Sequence, residues 1–287
     1  MSKVSGRLRV RLAFADMSEQ IQTQSSAFDR GVALQRVEQG RWAGEALEPW
    51  RVYKGPNGGY LAAIVLNAQI SELADSSRSP RAFNVHFVDR ALEGELTIDV
   101  TVERIGRSFA STTARMFQGE RLCATSNCSF SLRGRGPSYD EYGMPEVADP
   151  ADLPVMPVPP EMLPVFARNF EYRFALGNLP YSSSPNALLG GWIRPVEARP
   201  VDEVLLACYS DAFPPALFTR ISEPVDAPTV DLTVHFLGEP PCHHDWVLCR
   251  FEAPVGDNGV LIEDGSMWSK DGRLLARSRQ LALFRTP

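Results

Sequence analysis

The chain has 287 residues, 44% apolar and 22% charged, with a formal net charge of −6 at pH 7. That is ample material for a hydrophobic core, and the acidic balance argues against a general nucleic-acid binder. The five cysteines are scattered, without disulfide-framework or metal-ligand spacing, which implies reduced thiols in a cytoplasmic protein with no metal site. No apolar run approaches the roughly 18 residues of a membrane span. The start, "MSKVSGRLRVRLAFADMSEQ", has arginines but no long apolar region of the signal-peptide kind, and Met17 is an alternative initiator. Residues 1–27 are therefore set apart as an N-terminal extension.

In chain order, one or two strands are predicted over about 32–52, followed by a helix over about 59–74, where Leu61, Ile64, Val65, Ala68 and Leu73 recur at helical spacing. The motif "VHF" at 85–87 precedes three strand-like runs, "ELTIDVTVERIG", "SFASTTARMFQG" and "RLCATSNCSFSL", punctuated by Gly106 and Gly119. Residues 136–164 are rich in proline, which excludes a regular helix or central strand; a connector crossing the surface is expected there. Further strands are predicted over 166–198. A second helix, about 201–213, has Asp202 as its N-cap.

After that helix the pattern returns. A second "VHF" stands at 234–236, again followed by three strand-like runs: "DWVLCRFEAPVG", "GVLIEDGSMWSK" and "RLLARSRQLALF". Shifted by 152 positions, Arg121, Leu122, Ala124 and Ser126 fall on Arg273, Leu274, Ala276 and Ser278, and Cys128 falls on Gln280. The chain thus reads as two copies of one unit, residues 28–135 and 165–287, joined by the connector. One apolar helix wrapped by a curved antiparallel sheet, twice over, is a double hot-dog fold of the α+β class. Two α+β domains without a shared sheet are the alternative.

The ordered set "NGGYLAA" (57–63), "FNVHFVDRALEGE" (83–95), "ERIGRSFASTTARMFQGERLCATSNCSF" (103–130), "SDAFPP" (210–215), "PTVDLTVHF" (228–236) and "SRQLALFR" (278–285) resembles the bacterial type II acyl-CoA thioesterases. The resemblance implies a double hot-dog enzyme that hydrolyses acyl-CoA without metal or cofactor. It also implies a catalytic Asp, Thr and Gln at Asp211, Thr229 and Gln280. Asn84 stands where that family often has histidine, among substrate-positioning residues. A homo-oligomer is left open, because hot-dog sheets often pair edge to edge.

The residues add their own reading. Asp211 follows Val204, Ala207 and Cys208 at helical spacing on an apolar face, where a carboxylate is costly and its pKa raised unless partnered; a frayed helix end before Pro214 and Pro215 is the structural alternative. Gln280 alternates with Leu274, Ala276, Ser278, Ala282 and Phe284 and should face the helices. Thr229 alternates with Asp231 and Thr233 as a strand threonine would. The first copy carries Gly59, Pro80 and Cys128 at the levels of Asp211, Thr229 and Gln280, so one copy is scaffold and the other reactive. Gly58 and Gly59 open a helix, where free N–H groups suit a thioester oxyanion or simply a turn. Arg107, in the turn "GRSF", is either a ligand for a CoA phosphate or a solvated turn residue. A hydratase or dehydratase, which would use an Asp and a His, and a non-catalytic acyl-binding protein are the competing functions; neither predicted helix contains histidine.

Overall fold

The structure, a computed structural model, describes residues 25–132, 137–155, 163–241 and 243–284. Expectations for residues 1–24, with Met17, lie outside the described residues, as does Cys242. The first unit contributes helix α1 (Ala27–Gly31), strands β1 (Gln35–Glu38) and β2 (Arg41–Ala46), helix α2 (Gly58–Leu73), and strands β3 (Arg78–Phe87), β4 (Gly94–Ile105), β5 (Phe109–Gln118) and β6 (Arg121–Leu132). The second contributes β7 (Phe170–Gly177), β8 (Leu188–Pro195), helix α3 (Glu203–Tyr209), β9 (Thr229–Phe236), β10 (Val247–Asp257), β11 (Val260–Ser269) and β12 (Leu274–Leu283).

All twelve strands form one antiparallel sheet in the order β1-β2-β4-β5-β6-β3-β9-β12-β11-β10-β8-β7. The order reads as one six-strand unit and its repeat meeting at β3 and β9. Register repeats as well: Phe83 pairs with Cys128, and at the matching place Leu232 pairs with Gln280. This is the double hot-dog architecture, with a shared sheet rather than two independent domains.

Helix α2 is apolar nearly all round because the sheet curls about it; Tyr60 through Leu66 are all buried. Asn57 caps it, its side chain accepting from the Tyr60 N–H at 2.9 Å. Asp202 caps α3 as expected, accepting from Leu205 N–H at 2.8 Å. That helix stops at Tyr209, short of the expected 213, and Pro214 and Pro215 forbid its continuation. The two helices pack against each other.

One smaller expectation changes. In β12 the register shifts between the pairs Met267–Ala276 and Trp268–Leu274. Leu275 therefore turns into the main core, and Leu274 packs outside against Trp192, Trp246, Leu248 and Trp268. The connector runs without helix or strand over its described residues, and seats Met144, Val147 and Leu153 on that outer tryptophan cluster. Trp192 Nε1 donates to the Ala148 carbonyl at 3.0 Å, and Lys270 pairs with Asp149 at 2.9 Å.

Trp50 locks the two units together. It stacks on Tyr60 of α2 at 4.9 Å between centroids and meets Phe28, Phe166 and Phe170 edge-on. It is 1% exposed. Trp50→Ala should cost about 3–5 kcal/mol, the range for deleting a large buried aromatic side chain. Urea denaturation checks this; a loss below about 1 kcal/mol would mean that the cluster is not a joint of the fold.

Candidate active site

The N-terminus of α2 meets the end of α3, and glycine permits the approach. A Cβ on Gly59 would lie 2.4 Å from the Cys208 carbonyl oxygen, and one on Gly58 would lie 2.9 Å from Asp211 Oδ2. Asp211 stands one residue beyond Ser210, which ends α3. Its Oδ2 accepts from the Gly59 N–H at 3.0 Å and from Asn57 Nδ2 at 3.2 Å, while Asn57 Nδ2 also donates to the Asp211 carbonyl at 2.8 Å. The unpaired amides and positive end of the α2 dipole thus face a carboxylate. Burial still dominates and pushes the Asp211 carboxyl up to about 6, against the opposing pull of the Gly59 and Gly58 N–H groups and the Asn57 amide. The residue as a whole keeps some exposure.

One expectation is corrected at this contact. The Gly59 N–H, expected to face a thioester oxygen, is taken by Asp211.

Thr229 and Gln280 come together as drawn from the family resemblance, but by a route that strand alternation misses. Simple alternation would put Thr229 outside with Asp231 and Thr233. Between β12 and β9, Leu281 pairs with Asp231 and Ala282 with Thr229, so Val230 is an extra residue. This β-bulge turns Thr229 onto the inner face, where its hydroxyl donates to Gln280 Oε1 at 2.8 Å. The first unit has the same irregularity, at Arg81, with Pro80 at the matching position.

Gln280 is 5% exposed, and its Nε2 donates to Glu263 Oε1 at 2.6 Å. Glu263 lies directly across from it on β11 and accepts through Oε2 from the Ala216 N–H at 2.6 Å. Burial pushes the Glu263 carboxyl up to about 7, helped by the charges of Asp211 and Asp264 and opposed by the Ala216 and Gln280 donors. Asp211 is thus near enough for its charge to be felt at Glu263. A cavity of about 210 Å³, with Leu217, Arg220, Ala253, Leu261 and Phe284 among its lining, opens beside this chain of hydrogen bonds. A larger cleft of about 460 Å³, with Glu239, Lys270 and Arg273 among its lining, lies at the other end of β12.

Asn84 and Arg107 are not brought to this place. Asn84 is on the face of the sheet away from the helices, where its Nδ2 donates to Asp231 Oδ2 at 2.7 Å and Thr233 Oγ1 at 2.9 Å across the β3–β9 seam. Its buried neighbours Phe83 and Val85 take the inner face, so alternation sends Asn84 outward. Arg107 sits in the β4–β5 turn beside Arg78, whose guanidinium donates to the Gly106 carbonyl and pairs with Asp75 just past the C-terminus of α2. The length of a 16-residue helix, roughly 24 Å at 1.5 Å per residue, separates it from Asp211. His86 and His235 are exposed on the outer face, and His243 and His244 lie in the loop before β10. Asn57 opens the run "NGGYLAA" and is visible as the Asn before a helical run; Glu263 carries no motif signal and is visible only by laying β11 against β12.

Two family models match the chain: the acyl-CoA thioesterase N-terminal domain over residues 46–131 and the acyl-CoA thioesterase C-terminal domain over residues 150–284. The chain belongs to the two-domain acyl-CoA thioesterases. This thioesterase finds no match in a search of the curated proteins. Among solved structures it is similar to a hot-dog protein of unknown function from Alicyclobacillus acidocaldarius, at 28% identity and TM-score 0.84, covering 92% of this chain and 99% of that one. A putative thioesterase II from Thermobifida fusca matches at 22% identity and TM-score 0.79, with 92% and 99% covered. The acyl-CoA thioesterase II TesB2 from Mycobacterium marinum matches at 20% identity and TM-score 0.74, with 91% and 99% covered. The last two are likenesses of fold.

The raised Asp211 value has a consequence for stability. Its folded pKa, about 6, lies above the ordinary 3.8. The relative stability held by the neutral form is present below the ordinary value and is lost as pH rises through 6. Asp211→Asn removes that loss. The Asn variant should be more stable than the parent by about 1–3 kcal/mol at pH 8 and nearly equal to it at pH 4, as read from melting curves at both values. A variant destabilised at pH 8 would contradict the burial argument.

Proposed function

We propose that the chain hydrolyses an acyl-CoA to a free acid and CoA, with Asp211 as the base that activates water. The carrying observation is a carboxylate raised to about 6 and fixed by the Gly59 N–H and the Asn57 amide, whose charge is felt at Glu263, the partner of the Gln280 amide. A base with such a value is ionised at neutral pH yet still accepts a proton well. In the step proposed, Asp211 takes a proton from water and the water oxygen bonds to the thioester carbonyl carbon. The carbonyl electrons move to oxygen and return as the C–S bond breaks; the proton on Asp211 then passes to the CoA sulfur.

With one Nε2 hydrogen given to Glu263, Gln280 retains a second for the water or the carbonyl oxygen. Thr229 holds the other end of that carboxamide. Gly58 and Gly59 act on the substrate indirectly, by orienting the base. The cavity along Leu217, Leu261 and Phe284 offers room for part of an acyl chain. Four buried free thiols, Cys123, Cys128, Cys208 and Cys249, support a cytoplasmic setting.

The assay is release of free thiol from a panel running from acetyl- to palmitoyl-CoA. Asp211→Asn should lower turnover by about 10²–10⁴-fold on the best substrate, as for loss of a positioned base. Parent activity should rise with pH through about 6, because the ionised carboxylate is the active form. Gln280→Ala should lose much of the rate and Cys128→Ser little of it, since Cys128 holds the matching place in the unreactive unit. An Asn variant retaining more than about a third of the parent rate would end the assignment of Asp211.

A further inference from the structure

Glu263 is the only acidic side chain fully buried among the described residues, at 3% exposed, and the hydrolytic scheme leaves it without a task. The fold itself does not ask for a carboxylate there. In the first unit the corresponding cross-strand pair is Thr112 with Cys128, where the second has Glu263 with Gln280. Thr112 is satisfied by a neutral bond, its hydroxyl donating to Gln69 Oε1 of α2 at 2.5 Å. The same strand pairing therefore folds around a threonine. A buried acid is the more costly choice, as the upward push on its carboxyl to about 7 shows.

The chemistry of its partners gives the carboxylate a purpose. A carboxamide has a donor end and an acceptor end of nearly equal shape, and a hydroxyl can serve either. Thr229 alone would leave Gln280 free to turn over. A carboxylate only accepts, so Glu263 draws Nε2 to itself and obliges Oε1 to face the Thr229 hydroxyl. The second oxygen of Glu263 is held by the Ala216 N–H, five residues after Asp211. One side chain thus ties the segment that carries the base to the strand that carries the amide.

We propose that Glu263 is a positioning residue of this site, which fixes the orientation of the Gln280 carboxamide and clamps β12 to the Asp211–Ala216 segment. This rests on the hydrolytic roles proposed for Asp211 and Gln280. Glu263 has no contact with substrate in this scheme and acts through Gln280.

The test is a double-mutant cycle in kcat and KM on the full chain, with an acyl-CoA that the parent hydrolyses well and melting curves for every variant. Glu263→Leu should lower kcat by about 10–100-fold, the order expected for a misplaced group, with KM changed by less than about threefold. Glu263→Gln keeps the volume but can accept from only one of the two donors without turning its own NH₂ on the other, so it should fall between parent and Leu variant. With Gln280→Ala as background, Glu263→Leu should cost less than about twofold more, because its route of action is gone. A Leu variant that melts lower yet keeps the parent kcat, an effect confined to KM, or losses that simply multiply in the double variant would each overturn the proposal. If the Leu variant does not fold, the Gln variant carries the same cycle, and failure of both to fold would also overturn it. Asp211→Asn is run alongside: a fully active Asn variant sinks the hydrolytic reading, whereas an inactive one beside an unaffected Glu263→Leu sinks only the role of Glu263.

Discussion

Much of the molecule is arranged around one contact, the amide of Gly59 against the carboxylate of Asp211. It sets a helix start against a helix end at a distance that excludes any side chain on residue 59. The rest of the geometry serves that approach. α2 stays apolar on nearly every side so that the sheet can close about it, and Asn57 bonds both its own helix and the partner segment. The prolines after Asp211 stop α3 early, which leaves the carboxylate at the tip of a turn rather than along a helix flank.

Repetition supplies the second constraint. Strand order, cross-strand register and the bulge that precedes "VHF" all recur between the two units. The chemistry differs only in which side chains occupy the shared places. The bulge that turns Thr229 inward presents Pro80 in the first unit, and the place of Gln280 is taken there by a thiol. The first unit fills the corresponding space with a closed polar group, Gln69 bonded to both Thr112 and Ser126. Both ends of the Gln69 carboxamide are thus held by side chains of its own unit.

Periodicity made the architecture legible in the sequence, because an apolar helix and four following strands leave a strong pattern and the pattern occurs twice. Asp211 was also visible, as a charge in an apolar context before two prolines. Thr229 was visible by resemblance alone, since alternation sends it to the wrong face and only a cross-strand register reveals the bulge. Asn84 misled for the opposite reason: its sequence neighbours are core residues, and the pleat puts it on the other side. Arg107 looked suitable by type, but a turn arginine has no fixed address until the hairpin is laid against the helix. Glu263 could be reached from the sequence only by pairing "LIEDG" with "SRQLA" across their hairpin, where the acid falls opposite the glutamine.

The seam between the units has a rotational centre. Phe83 pairs with Val234 and Val85 with Leu232, and these are each other's repeat counterparts, so the local two-fold axis passes between Asn84 and Thr233. In an assembly of two identical subunits, whatever residue lies on such an axis must face its own copy, and a lone asparagine would meet an asparagine. Joining the units in one polypeptide lifts that restriction. Here the position holds two different residues, and the amide donates both to the threonine opposite and to Asp231 beside it. Covalent duplication thus permits an unlike pair at the one place where a symmetric dimer could never have it.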